Sequence, residues 1–353
     1  MKTNLCFFDD FWIDCRRNVA RQWYSPRLAG TYQDPTFDAA TYPSLAWCPE
    51  AGRYRLWYEA LPRVEEDALR YIGVAESVDG HNWTPGKFNT DDPCNRVAPH
   101  FVYSGNGGIH GSSVYYDPYE KNRDWRYKCA GMTRSDTIRQ FPRGEFPLTL
   151  STSPDGIHWT EHPDRRIYPF TSDTYNCIFY NPVSGKYQVI LRASYVDRRI
   201  CMIESDNLQD WSDPLLIVHP DAEYEDGLFT IQLYSMGAYW NEGLFLGLML
   251  RFHTSLTDED LIKMNGYMDS ELMYSYDGRC WMHTTRRPIV EKPVSPDYGF
   301  NQMVFLHMAE SPDKSEMILV AAASRTPHLQ AAEYRKVRER LGGKLGRFNF
   351  YAI

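Results

Sequence analysis

Ser153-Pro154-Asp155-Gly156-Ile157-His158-Trp159 decides how the chain is read. It is a tight turn with Asp-Gly at its tip, closed by a Trp that opens the next strand. Ser77-Val78-Asp79-Gly80-His81-Asn82-Trp83 and Ser275-Tyr276-Asp277-Gly278-Arg279-Cys280-Trp281 repeat it. Ser205-Asp206-Asn207-Leu208-Gln209-Asp210-Trp211 is a looser copy without the Gly. A lone Ser-x-Asp-Gly is a common hairpin turn. Four copies, each after an apolar run and roughly 50 to 75 residues apart, have the spacing of propeller blades with insertions.

Working outward, the same meander of strands surrounds each copy. The first is Thr41–Trp47, Tyr54–Glu59 and Tyr71–Glu76 before the turn at Asp79. Equivalent runs begin at Ser112, Asn176, Thr230 and Gln302. The reading is an all-β, five-bladed β-propeller of four-stranded blades. Residues 1–36 form a lead-in, 37–328 the propeller, and 329–353 a charged helix stopped by Gly342-Gly343 plus a closing strand. The basic residues of that helix read as a solvated face. The closing strand, mostly apolar, is expected to pair with a blade; either it or the Phe7–Ile13 run completes the last blade and closes the ring. Trp83, Trp159, Trp211 and Trp281 should hold equivalent outer-strand places between blades.

The composition suits a large folded core: 353 residues, 43% hydrophobic and 15% aromatic, with a formal net charge of −8. No Lys/Arg stripe runs through the repeats, which argues against nucleic acid. No apolar run has membrane length. The stretch from Met1 meets Asp9 and Asp10 before a leader core could form, so a cytoplasmic location is expected. Eight Cys are scattered without a Cys-x-x-Cys pair, and Cys48, Cys129, Cys177 and Cys201 read as buried free thiols.

In a propeller, residues just before each inner strand and those ending the second strand converge at one mouth of the central channel. These are Asp38, Tyr42 and Glu59; His110 and Arg134; Asp173, Arg192 and Tyr195. The fourth repeat adds Glu223, Glu225, Asp226, Arg251 and His253, and the fifth Asp297, Asn301, Arg325 and His328. Asp or Asn before a strand is often only a turn former. Carboxylates beside Arg at a channel mouth also suit sugar hydroxyls and a developing positive charge.

The Ser-x-Asp-Gly-x-x-Trp turns, Tyr42-Pro43-Ser44 before an inner strand, and Asp117-Pro118 or Asn181-Pro182 after one resemble the five-bladed propeller glycoside hydrolases, families 32, 43, 68 and 117. The Phe8-Asp9-Asp10 lead-in is similar to family-32-like members. The resemblance implies glycoside hydrolysis or glycosyl transfer on a furanose-type or related sugar by two carboxylates. It implies Glu225, in Glu225-Asp226-Gly227, as general acid and Asp173 as the group stabilising the sugar's positive charge. Asp38 is the weaker candidate for nucleophile or base, with Asp34 and Glu59 as neighbouring acids. Arg192, Arg251, His110, Tyr42 and Glu59 would bind substrate. No cofactor and no metal is implied; the partner is a carbohydrate, and a homo-oligomer is left open. Two features depart from the family pattern: Tyr42 stands where the blade-one Asp usually precedes Pro-Ser, and Ile109-His110-Gly111 has no acid. They are the argument for a sugar-binding propeller without catalysis; an interaction propeller using its rim is the third reading.

Overall fold

The computed structural model describes residues 8–37, 40–60, 70–91, 93–105, 108–133, 146–193, 198–221, 229–255, 265–295, 297–329 and 331–353. Among them the regular structure is nearly all antiparallel strand, with one α-helix, Ala331–Leu341. The strands follow the repeats. The first unit is Ala40–Cys48, Arg53–Ala60, Tyr71–Ser77 and the short Thr84–Pro85, with Phe101–Tyr103 also on its third strand. The second is Ile109–Tyr116, Tyr127–Thr133, Pro147–Ser153 and Thr160–Thr171. The third is Cys177–Asn181, Lys186–Leu191, Ile200–Ser205 and Leu215–Val218. The fourth is Phe229–Asn241, Leu244–Ser255, Gly266–Ser275 and Met282–Pro288.

The fifth unit joins distant parts of the chain. Its strands are Gln302–Glu310, Met317–Ser324, Gly346–Ala352 and, outermost, Arg27–Tyr32. Residues 8–26 contain no strand, so Arg27–Tyr32, and not the described part of the Phe7–Ile13 run, residues 8–13, completes this sheet. Its third and fourth strands are not consecutive in sequence, which explains why this unit lacks an Asp-Gly turn. One parallel pair, Met268 with Gln302, links the fourth and fifth units into a single sheet.

The five inner strands touch in a closed circuit: each contacts the next, and Gln302–Glu310 contacts Ala40–Cys48. Hydroxyl groups peg the joints, because inner edges carry backbone groups that no ladder satisfies. Val114 N–H donates to Ser44 Oγ at 3.0 Å and Ile178 N–H to Ser113 Oγ at 3.0 Å. Thr174 Oγ1 donates to the Tyr234 carbonyl at 2.7 Å.

The repeated turn has a structural task. In each copy the Ser ends the third strand, and the Gly N–H donates to its hydroxyl, at 2.9, 2.8 and 2.9 Å for Gly80, Gly156 and Gly278. One oxygen of each Asp carboxylate takes the next two backbone N–H groups, as with Ile157 (2.9 Å) and His158 (2.8 Å) on Asp155. In the looser copy Asn207 takes the Asp role, and Leu208, at φ +59°, stands where Gly does. The turns then fasten one unit to the one before. Trp57 Nε1 donates to the Gly156 carbonyl at 2.8 Å and Arg55 Nη1 to that of Asp155 at 2.6 Å. Asn181 Nδ2 likewise reaches the Asp277 carbonyl at 2.8 Å.

Gly156 sits at φ +73°, and a Cβ there would lie 2.7 Å from Trp57 Cζ2. Gly156→Ala should therefore destabilise by about 1–3 kcal/mol through overpacking on top of its left-handed strain. Gly52 is the control: its φ is +61°, but nothing lies within 4 Å of an added Cβ. Urea unfolding midpoints should fall further for Gly156→Ala than for Gly52→Ala; equal shifts would show that the turn does not clamp the units.

The Trp positions are only partly equivalent. Trp83 stacks on Phe350 of the fifth unit, centroids 4.3 Å apart, and Trp159 lies 5.7 Å from Tyr103 of the first. Both bridge units. Trp211 packs against the cluster shared by the second and third units. Trp281 packs inside its own unit, over Gly247, whose missing side chain leaves room for the indole. Cys48, Cys94, Cys129, Cys177 and Cys201 are buried free thiols. No helix among the described residues is long and apolar enough to cross a membrane.

Candidate active site

At one end of the ring, the inner strands of the first and second units both break register just after their start. Pairing jumps from Thr41 to Ser44 and from His110 to Ser113. Such bulges re-aim side chains. They leave Tyr42 at φ +49° and Gly111 at φ +64°. A left-handed tyrosine costs of order 1–3 kcal/mol and persists only where the surroundings hold it. Here the buried ring lies 5.6 Å from His110 and 6.0 Å from Tyr175. Gly111 is obligatory: a Cβ would sit 2.0 Å from the Thr174 carbonyl oxygen.

These bulges open a cavity of about 340 Å³, at the lower end of the range for small-ligand sites. Its polar lining includes Tyr42, Arg70, His110, Asp173, Tyr234 and His328. Gln302, Thr326 and Tyr334 add further polar groups, while Leu250, Met268, Val304 and Ala322 supply an apolar wall.

A charge relay ends in this cavity. Glu59, buried with its side chain 1% exposed, accepts from Arg70 Nη1 at 2.6 Å and pairs with His110 Nδ1 at 2.8 Å. Its other oxygen accepts the Gly111 N–H at 2.9 Å. His110 Nε2 meets Asp173 Oδ1 at 2.8 Å, and the Asp173 side chain is 59% exposed. Arg192 donates to the Asp173 backbone carbonyl, with Asp173 Oδ2 3.8 Å from Nη2. Its guanidinium lies 4.9 Å from the centre of the Tyr234 ring, and that of Arg198 lies 5.0 Å from it.

The relay sets the ionisation. The His110 hydrogen bond, then the positive charges of His110, Arg192 and Arg70, hold the Asp173 carboxyl well below the usual range against some desolvation. Burial raises Glu59, but His110 and Arg70 overcome it and the net shift is downward. Burial opposes protonation of His110, yet Glu59 and Asp173 win and its pKa rises. The His110 contribution to stability is thus full below its unfolded pKa, about 6.5, and is lost as pH climbs through the raised folded value. The result is an ionised, accessible Asp173 on a rigid mount.

Tyr42, His110, Asp173 and His328 come together at the mouth as the sequence suggested. Glu59, expected at the mouth to bind substrate, does not line the cavity: it is buried behind His110, because the strand that carries it continues to Ala60. Arg251 is not in the cavity either. It is buried, with Nε 2.7 Å from Asp269 Oδ1 and Nη1 3.4 Å from Glu271 Oε2. Arg192 stands behind Asp173 and orients it. Asp34 is also interior, pairing with His100 Nε2 at 2.8 Å and accepting from the Tyr58 hydroxyl. Asp38, Glu223, Glu225, Asp226, Arg134 and Tyr195 lie outside the described residues. Sequence reading missed Arg70, which precedes a third strand, and Tyr234, which sits inside an inner strand beside the Leu233/Ser235 register break. Among the described residues no His/Cys/Asp/Glu group has the arrangement of a metal site.

No protein-family model and no curated protein matches this sequence. Solved structures do match its fold. One is described as from family 130 of mannoside phosphorylases, which contains hydrolases that target β-1,2 mannosidic linkages in Candida mannan. It has 12% identity, a TM-score of 0.56, and coverage of 95% of this chain and 96% of that one. A thermostable family-43 glycoside hydrolase matches with 14% identity and a TM-score of 0.53 over 91% and 92% of the two chains. An N-acetylgalactosamine deacetylase from F. plautii, in complex with blood group B trisaccharide, matches with 13% identity and a TM-score of 0.57 over 93% and 94%. At these identities the likeness is one of fold.

Proposed function

We propose that the chain is a five-bladed β-propeller glycosidase, acting on a furanose-type or related sugar by hydrolysis or glycosyl transfer. The closed circuit of five inner strands supports the propeller reading, as do the folds it matches. The observation that carries the activity is Asp173: an exposed carboxylate kept ionised by His110, Arg192 and Arg70 at the mouth of a sugar-sized cavity. Asp173 stabilises the positive charge that grows on the sugar ring. Glu225 protonates the leaving oxygen, and Asp38 serves as nucleophile or base. His110 and Tyr42 position hydroxyls. A carboxyl separation of about 5–5.5 Å would make the enzyme retaining, and about 6.5–9.5 Å inverting.

One observation favours a second reading, a sugar-binding propeller: Asp173 is the one carboxylate among the described cavity-lining residues. A panel of aryl furanosides, aryl pyranosides and fructans separates the two. It should be run with and without phosphate, since one matching fold comes from a phosphorylase family. Aryl release by the wild type, about 10²–10⁴ slower in Asp173→Asn, is expected; saturable sugar binding with no turnover on any member would leave only the binding reading.

The relay also sets an alkaline limb. kcat/KM should fall as pH rises through the raised pKa of His110, because its proton holds Asp173 in place. His110→Gln should flatten that limb. An unchanged limb in the variant would remove His110 from the mechanism.

A further inference from the structure

The helix Ala331–Leu341 stands where the fifth unit needs only a hairpin, between Met317–Ser324 and Gly346–Ala352. Both of its feet rest on the cavity: Ser324, Thr326 and His328 line it on one side and Gly346 on the other. The helix ends in a left-handed pair, Gly342 at φ +70° and Gly343 at φ +77°, with Gly343 N–H donating to the Arg338 carbonyl at 3.1 Å. Helical spacing divides its faces. Tyr334, Val337, Arg338 and Leu341 are half-buried, and Tyr334 lines the cavity. Lys336 and Arg340, one turn apart, point outward and are exposed, and exposed Lys344 follows.

The charge of this insertion runs against that of the protein. From 325 to 345 it carries Arg325, Arg335, Lys336, Arg338, Arg340 and Lys344 against Glu333 and Glu339, in a chain of net charge −8. A local basic strip on an acidic protein focuses the field for an anionic ligand, whereas the rest of the surface repels one. Simple solubility does not require that reversal at this place.

We infer that the helix Ala331–Leu341 is an outer subsite for an anionic glycan, a chain bearing carboxylates, whose reactive end enters the cavity past Tyr334. This rests on the cavity's being a sugar site and names the class of substrate. The outward Lys336 and Arg340 hold charges of the chain beyond the cleavage point, and Tyr334 offers an aromatic edge between strip and pocket. Rim charges of this kind act on association and on salt dependence more than on chemistry.

Retention on polygalacturonate tests the strip, with the carboxyl-reduced polymer as its neutral twin. The full chain should be retarded by polygalacturonate at about 0.02 M salt, released at about 0.3 M as screening shortens, and ignored by the reduced polymer. Lys336→Glu/Arg340→Glu should weaken retention about tenfold, and Lys336→Gln/Arg340→Gln by less, which guards against a variant that merely frays the helix. Neither double variant should change turnover of a small neutral aryl glycoside. Equal retention by the neutral polymer, no effect of the double variants, or equal displacement by a DNA oligonucleotide would each overturn the inference. If the wild type turns over no sugar at all, the enzyme reading fails by itself, while salt-sensitive, carboxylate-specific retention still stands.

Discussion

Asp173→Asn is expected to lower turnover by about 10²–10⁴ while leaving the fold intact. The substitution keeps shape and one acceptor oxygen but removes the charge. The side chain is largely exposed and lies outside any strand, so losing its ion pair with His110 should lower unfolding midpoints only modestly. The loss should be similar for aryl glycosides with good and poor leaving groups, because it acts on charge at the sugar ring. Glu225→Gln should behave differently: a loss of about 10²–10⁴ with poor leaving groups, shrinking where the leaving group needs no proton. A second signature is available without substrate. Removing the Asp173 charge removes one of the groups that raise His110, so the imidazole should titrate at lower pH by NMR. Full activity in Asp173→Asn would remove the carboxylate from the chemistry. Full activity in Glu225→Gln would pass the acid role to Glu223 or Asp226.

Glu59→Leu should cost about 3–5 kcal/mol, the usual result of removing one partner from a buried ion pair. It strands His110 and the Gly111 N–H together, and leaves Arg70 without its closest anion. Arg70 has a side chain 31% exposed and can turn to water, which places the expectation at the lower end. Glu59→Gln retains an acceptor for the Gly111 N–H and should lose less. Both variants should impair kcat far more than they impair sugar binding, because Glu59 helps keep the proton on His110 that holds Asp173 in place. Denaturant unfolding and kinetics together decide the matter: a stability loss under about 1 kcal/mol is what an exposed pair gives and would mean that the relay is not buried in solution.

The strand plan was legible because its punctuation repeats. Ser, Asp and Gly are each required by a bond or a dihedral in the turn, so the motif marks the third strand's end in four units. The residues before inner strands were legible for a related reason: Tyr42, His110 and Asp173 stand where the chain enters the ring. Arg251 was misplaced because its strand runs on to Ser255, which leaves it mid-strand beside Asp269 and Glu271. Its position in an apolar run gave no sign of that length. Tyr234 was invisible because its aim depends on a register break, which is a property of the paired strand as well as its own. Glu59 looked like a ligand because sequence shows a charge without showing how deep it lies. The outermost strand of the fifth unit was the hardest to see, since Arg27–Tyr32 finds its partner at the other end of the chain.

That last pairing bears on how the protein comes off the ribosome. Arg27–Tyr32 is made early, but its partner Gly346–Ala352 is made some three hundred residues later, which at bacterial or eukaryotic elongation speeds is roughly 15–60 s. For that time the early strand has no sheet to join, and Trp83 has no Phe350 to stack upon. Nascent chains should therefore hold an unpaired Arg27–Tyr32 strand, sensitive to protease near Gly30, until Gly346–Ala352 has been made. Once Arg27–Tyr32 has joined Gly346–Ala352, parting this sheet separates strands that lie far apart in the chain, so the finished molecule should unfold slowly even if its equilibrium stability is ordinary.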